Sequence, residues 1–212
     1  MPLKLLILGA TGGTGRQLVS QALDRGHDVT VLVRTQDRLG VDHGPARVLI
    51  ARLPDDAEAL RAAMRDQDAV ISALGVGQSL KSGGLITSSV PVILQSMEST
   101  RVRRIVFTSA YGVGETIRDV PLVPRILIRL VLKDVYADKA AGETVLRQSN
   151  LDWTIVYPAT LTNGIGTGRY RVGERLALRG VPKVSRADLA HFLLSQLDDR
   201  RFIRKGVLIT NA

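Results

Sequence analysis

The sequence predicts an α/β fold, a doubly wound parallel sheet (Rossmann fold) formed as a single domain over residues 1–212. Three observations carry that prediction. Residues 4–34, KLLILGATGGTGRQLVSQALDRGHDVTVLVR, read as strand, glycine-rich turn, helix and strand. Short apolar runs then alternate with helical periodicity along the remaining chain. Finally, 212 residues with 45% hydrophobic content suffice for one core of this kind, and no linker or internal repeat interrupts them.

The elements follow in order. Leu5 to Leu8 form an unbroken apolar run ending at Gly9, as expected of a strand covered on both faces. From Thr14 onward, Leu18, Val19, Ala22 and Leu23 recur at helical spacing, and Gly26 is placed to stop the helix. Val29, Val31 and Val33 alternate with Thr30 and Leu32 in a second strand. Residues 47–51 predict a third strand, followed by a helix that Asp55 and Asp56 can cap and that carries Leu60, Ala63 and Met64. A fourth strand is expected over 68–75, a helix with Ile86, Val90, Ile93 and Met97 over about 85–99, and a fifth strand over 104–110. A helix over 138–149 leads to a sixth strand stopped by Pro158. Ser185 and Asp188 have the spacing of a capping box before Leu189, Phe192 and Leu193, and residues 206–210 end the sheet. In such a fold the ligand lies at the carboxyl ends of the strands.

The first turn carries the strongest chemical signal. Gly9, Gly12 and Gly15 are spaced G-x-x-G-x-x-G, with Gly13 as a further small residue and Thr11 and Thr14 as hydroxyl donors. A pyrophosphate approaches the unpaired N–H groups of a helix N-terminus only where no Cβ blocks it. This spacing differs from the G-x-G-x-x-G of ordinary dehydrogenases but does the same physical work. After the second strand stand Arg34 and Arg38 rather than an acidic residue, a choice that suits a 2′-phosphate and predicts NADP(H). Asp28 lies at the opposite end of that strand.

Composition excludes several classes. There is no cysteine, hence no disulfide, thiolate metal site or thiol nucleophile, and His27, His43 and His191 lack metal-ligand spacing, so no metal is expected. Neither a signal peptide nor an apolar run of spanning length is evident, and a cytoplasmic location is the expectation. The net charge is +9 (29 minus 20). Within RDVPLVPRILIRLVLKDVY, Arg125, Arg129 and Lys133 recur every four residues, with Ile126, Leu127, Leu130 and Val131 opposite. That segment reads either as a lid over an acceptor cleft, within a substrate segment at about 111–135, or as a surface for nucleic acid or an anionic membrane. Its place before the Lys139 helix favours the lid. The other basic residues form no nucleic-acid motif, so nucleic acid is not an expected partner.

ILGATGGTG, VTVLVR, DAVISALG, VFTSAYGVG, LRQSNLDWTIVYPATLT and VSRADLAHFLL occur in an order and spacing that resemble the atypical short-chain dehydrogenase/reductases, most of all the biliverdin-IXβ reductase/flavin reductase branch. The resemblance covers nearly the whole chain. It implies a monomer or weak homodimer that uses NADPH to reduce a small planar acceptor such as a flavin, quinone or linear tetrapyrrole. The alternative it leaves is an NADP-binding redox sensor with little turnover. It further implies that Gly9, Thr11, Gly12, Gly13, Thr14 and Gly15 hold the pyrophosphate and that Arg34 and Arg38 hold the 2′-phosphate. Ala73, Leu74 and Gly75 then line the ribose, Ser109 lies beside the nicotinamide, and Pro158, Ala159 and Thr160 meet the carboxamide. Two positions depart from the pattern: Ala51-Arg52 stands where relatives have Gly-Asp, and Tyr157 stands where relatives have arginine.

Typical short-chain dehydrogenases place a tyrosine four residues before a lysine, whereas Tyr136 here precedes Lys139 by three. A three-residue offset still faces roughly the same side of a helix, so Tyr136 reads either as a proton donor or as a surface aromatic. The resembled branch reduces flavins without that tyrosine, which favours the surface aromatic and implies Lys139 as a ribose or substrate contact. Ser109 is the candidate for an orienting hydrogen bond. Tyr111 is placed either to stack on the acceptor or to donate a proton.

Overall fold

The computed structural model describes residues 1–35, 44–178 and 180–212. The elements are β1 (Lys4–Leu8), α1 (Gly13–Asp24), β2 (Asp28–Val33), β3 (Arg47–Ile50), α2 (Ala57–Met64), β4 (Ala69–Ser72), α3 (Leu85–Thr100), β5 (Arg104–Thr108), α4 (Leu122–Val131), α5 (Lys133–Gln148), β6 (Asp152–Pro158), β7 (Thr160–Thr162), β8 (Tyr170–Gly173), β9 (Lys183–Ser185), α6 (Arg186–Ser195) and β10 (Lys205–Asn211). Eight strands form one sheet in the order β3-β2-β1-β4-β5-β6-β10-β8. Its neighbours run parallel except β8, which is antiparallel to β10. A separate parallel pair joins β7 to β9. The strand order reverses beside β1, which opens a crevice at the carboxyl ends of β1 and β4.

Alternation within each strand divides the core into two layers. On one face Leu5 and Ile7 pack with Leu18, Val19 and Ala22 of α1 and with Leu189, Ala190 and Leu193 of α6. On the other, Leu6 and Leu8 pack with Leu60 and Met64 of α2, with Ile86, Val90, Ile93 and Met97 of α3, and with Leu146 of α5. The central strands thus have apolar residues on both sides, as their unbroken apolar runs require.

The helix ends confirm some local expectations and correct others. Gly26, at φ +77°, ends α1 and lets the His27 N–H return to the Ala22 carbonyl at 3.0 Å. Asp56 occupies the N-cap position of α2, but its carboxylate accepts from the Arg52 N–H at 2.6 Å and bonds no helix amide. Its ψ of 60° departs from the extended conformation that aims a cap side chain into the first turn. Ser185 does cap α6, accepting from the Asp188 N–H at 2.9 Å. The Asp188 carboxylate completes no reciprocal bond to the Ser185 N–H; it accepts from the Thr167 and Gly168 N–H groups, both at 2.8 Å, and anchors the loop before β8. The strands β7, β8 and β9 were not predicted, and α5 starts at Lys133, five residues earlier than its periodicity suggested.

The N-terminus of α3 is capped from another helix. Gly84 offers it no side chain, and Asp138 of α5 instead accepts from the Ile86 N–H at 2.9 Å and the Thr87 N–H at 2.8 Å. Gly142 allows this approach: a Cβ there would lie 2.5 Å from the Ile86 Cγ2. Among the described residues no helix is long and apolar enough to cross a membrane.

Candidate cofactor and acceptor site

A cleft of about 1370 Å³ opens above the carboxyl ends of β1, β4, β5 and β6, with α4 and α5 along one side. Its first end is the glycine turn. Gly9 (φ +81°) and Gly15 close this turn on neighbouring backbone, for a Cβ on Gly9 would lie 2.5 Å from the Ala73 carbonyl oxygen and one on Gly15 would collide with that of Gly9. Gly12 differs: a Cβ there would meet only the Gly9 oxygen, at 3.4 Å, so its bare backbone is open on the cleft side. The N–H groups of Gly13, Thr14 and Gly15 have no acceptor within their own helix. No side chain caps this end of α1, and no carboxylate stands in its first turn. The positive end of the helix is thus available to an anion.

Arg186, the first residue of α6, crosses this end. A Cβ on Gly13 would lie 2.7 Å from its Cδ and Nε, which gives that fourth glycine its reason. The guanidinium donates to Asn163 Oδ1 at 2.7 Å, and among the described residues no carboxylate pairs with it. A cation held at the N-termini of α1 and α6 is disfavoured by both helix dipoles until an anion lies between them. Sequence reading missed Arg186 because only the packing of α6 on α1 brings it here.

The other anticipated contacts among the described residues reach the same cleft. Thr11, Thr14, Arg34, Ala73, Leu74, Gly75, Ser109, Tyr111, Lys139, Pro158, Ala159 and Thr160 all line it. Arg34 is exposed at the end of β2, next to an apolar surface that includes Ala51, Leu53 and Pro54. Arg38 lies outside the described residues.

The second end holds a buried hydrogen-bonded cluster. The Ser109 Oγ, just past β5, donates to one oxygen of the Glu143 carboxylate. The other oxygen accepts from the Tyr157 hydroxyl at 2.7 Å, and Arg147 Nη2 donates to that hydroxyl at 2.9 Å. Lys139 Nζ donates to the Thr108 carbonyl at 3.3 Å. Lys139, Glu143 and Arg147 follow at four-residue intervals on one face of α5. Burial pushes the Glu143 carboxyl up against the opposing pull of the Ser109 and Tyr157 hydrogen bonds. Burial also brings the Lys139 ammonium down to about 8, with Glu143 and Asp138 acting the other way. Burial and the neighbouring Glu143 keep the Tyr157 phenol protonated. Tyr157, at the position where the resemblance sets an arginine, is thus tied to an arginine from α5.

Tyr136 is not a surface aromatic: it is half-buried on the cleft wall, its Cε1 close to Gly112, and its hydroxyl reaches the Tyr111 carbonyl at 3.4 Å. Within α5, which begins at Lys133, its ring lies beside Gly112 and the cleft. The Tyr111 hydroxyl donates to the Asp119 carbonyl at 2.5 Å, and burial raises its pKa. The Thr108 Oγ1, buried beside the cleft, has no hydrogen-bond partner among the described residues. A family model described as NAD(P)H-binding matches residues 9–200.

The chain belongs to the NAD(P)H-binding family. Among its relatives, the uncharacterized sugar epimerase YhfK of Bacillus subtilis is 26% identical over 203 residues, which cover 93% of this chain and 89% of that one. A Streptococcus pneumoniae structure provisionally named an NADH-flavin reductase has a TM-score of 0.80 and 26% identity, covering 99% of this chain and all of that one. ChuY, an anaerobillin reductase from Escherichia coli O157:H7, superposes with a TM-score of 0.80 over 98% of this chain and 97% of that one, at 20% identity, a likeness of fold alone. The residues present fit the NAD(P)H of the family. The uncapped α1 N-terminus, the open backbone at Gly12 and the Arg186 guanidinium form a cradle for a pyrophosphate, and the unpartnered Thr108 hydroxyl adds a polar group farther along the cleft.

Proposed function

We propose that the protein is an NADPH-dependent oxidoreductase that passes hydride to a planar acceptor, a flavin, quinone or linear tetrapyrrole, and that it lies in the branch of atypical short-chain dehydrogenase/reductases that includes the biliverdin-IXβ and flavin reductases. The division of the cleft carries this reading. At about 1370 Å³ it exceeds the roughly 300–1,000 Å³ of a site for one small ligand, leaving room for a second flat molecule beside a dinucleotide. Its glycine and arginine end suits phosphates. Its other end, walled by Tyr111, Tyr136, Leu127 and Ile128, suits an aromatic ring system.

NADPH supplies the hydride when bound. Arg34 would recognise the 2′-phosphate that separates NADPH from NADH, and Arg186 and the α1 N-terminus would hold the pyrophosphate. Ser109, fixed by Glu143, presents a hydroxyl at the cleft wall, and the Lys139 ammonium adds positive charge next to it. Tyr111 has its hydroxyl tied back to the Asp119 carbonyl, so its ring is held to stack while water entering the open cleft delivers the balancing proton. The test is steady-state oxidation of NADPH with a panel of flavins, quinones and linear tetrapyrroles. Turnover with at least one planar acceptor, faster with NADPH than with NADH, is the expected outcome. Tight cofactor binding without turnover on any of them would instead make this a sensor of the NADP pool.

A further inference from the structure

The helix α4 has no buried residue, and six of its large aliphatic side chains, Leu122, Val123, Ile126, Leu127, Leu130 and Val131, are exposed. Val123 and Leu130 keep 78% and 79% of their surface in contact with water. Contiguous apolar exposure of this kind marks an interaction face. At 3.6 residues per turn, Leu122, Val123, Ile126 and Leu130 fall within an arc of about 100°. Pro124, Leu127 and Ile128, which line the cleft, occupy the other side. A lid accounts for the second group, while the first points away from the cleft and is unexplained by it.

Charge identifies what fits the outer face. Arg125 and Arg129 follow its edge, Lys133 comes at the start of the next helix, and no carboxylate occurs between Asp119 and Asp134. Arg125 is positioned by its bonds to the Val120 and Arg118 carbonyls, and Arg129 and Lys133 are exposed. A second copy docking face to face would bring two such basic rows together. Nucleic acid would meet an aliphatic centre with no aromatic side chain to stack on. An anionic bilayer satisfies both features, since its acyl boundary takes the aliphatic residues and its headgroups take the cations. The net charge of +9 draws the whole molecule toward such a surface.

We propose that α4 is an interfacial helix that seats the protein on an anionic lipid bilayer, with Leu122, Val123, Ile126 and Leu130 entering the acyl boundary and Arg125, Arg129 and Lys133 at the headgroup phosphates. The inference holds whichever acceptor the cleft takes. Vesicle flotation with the full chain tests it, using phosphatidylcholine alone and phosphatidylcholine with about one-third phosphatidylglycerol. Binding to the anionic vesicles should exceed that to the neutral ones by about tenfold or more and fall as salt is raised. Val123→Glu with Leu130→Glu should lower it by about tenfold or more while NADPH binding, read by fluorescence, is retained. Should that double variant misfold, Arg129→Gln with Lys133→Gln should abolish the preference for anionic vesicles. Equal partitioning of the wild type to both vesicle types, or an undiminished anionic preference in either folded variant, would overturn the proposal. So would a dimer in sedimentation equilibrium that Val123→Glu with Leu130→Glu dissolves, in a protein that binds no vesicle.

Discussion

Arg34 stands exposed at the end of β2 on the rim of the cleft, and as the proposed contact of a 2′-phosphate it would distinguish NADPH from NADH. Arg34→Ala should weaken NADPH by about 1.5–3 kcal/mol, the scale of a charge-assisted contact, and leave NADH nearly unchanged in calorimetry. Equal losses for both would remove the 2′-phosphate from this position. Lys139 titrates near 8 because it is buried, and its protonated form is the one that attracts an anionic dinucleotide. NADPH affinity should therefore decline as pH rises through about 8, whereas Lys139→Met should bind more weakly below that pH and show a flatter profile. A profile for Lys139→Met as steep as that of the wild type would assign the titration elsewhere. Glu143 gives a pH signature of the opposite partner, in stability rather than binding. Its carboxyl is harder to ionise in the folded chain than in the unfolded one. Its contribution to stability is thus complete below the ordinary carboxylate range and is lost as pH climbs through the raised folded value. Denaturant titrations between about pH 4 and 8 should show Glu143→Gln abolishing that decline. Glu143→Leu should cost about 1–3 kcal/mol for each hydroxyl, Ser109 and Tyr157, that it leaves without an acceptor. An unchanged slope in Glu143→Gln would place the carboxylate in a wetter setting than described.

At the scale of elements, the pairing of α3 with α5 sets the geometry of the second end of the cleft. Asp138 caps α3 while Lys139 and Glu143, one and five residues on, face the cleft and its buried cluster. Asp138→Ala should cost about 1–3 kcal/mol in urea denaturation, since two amides at the α3 N-terminus lose their acceptor. A loss below about 0.3 kcal/mol would show that water replaces the carboxylate freely. This pairing marks the limit of what sequence can show. The strands β1, β2, β4, β5, β6 and β10 are legible because a parallel strand between two helical layers must be apolar throughout. The strands β7, β8 and β9 are not, being only three or four residues long and, as in Tyr170-Arg171-Val172-Gly173, mixed in polarity. The phosphate turn is legible because its glycines are local to one loop. Arg186 is not, because it enters the site on a distant helix, and Glu143 is not, because its contacts with Ser109 and Tyr157 arise only when α5 packs on the sheet. On α5 the sequence marks Lys139 alone, and packing turns Glu143, one helical turn on, inward to 3% exposure.

Across the whole molecule, the strand order places the glycine turn on β1 and the Ser109 loop on β5 at opposite ends of one crevice, with β4 between them. On the proposed function, the glycine-turn half of this crevice would take the phosphates, and the half that α4, α5 and the Tyr111 loop enclose would take the acceptor. Acceptor specificity would then reside in that second half, because proteins named as epimerases and reductases share the sheet. The proposed transfer of hydride from NADPH to a planar molecule in this second half is open to test by anaerobic single-turnover mixing of the NADPH-loaded protein with oxidised flavin, followed by absorbance of both partners and repeated with NADPH deuterated at the nicotinamide C4. NADPH oxidation and flavin reduction should proceed at one common rate, slowed by the deuterium. Bound NADPH that persists unchanged through additions of flavin, quinone and linear tetrapyrrole alike would contradict it.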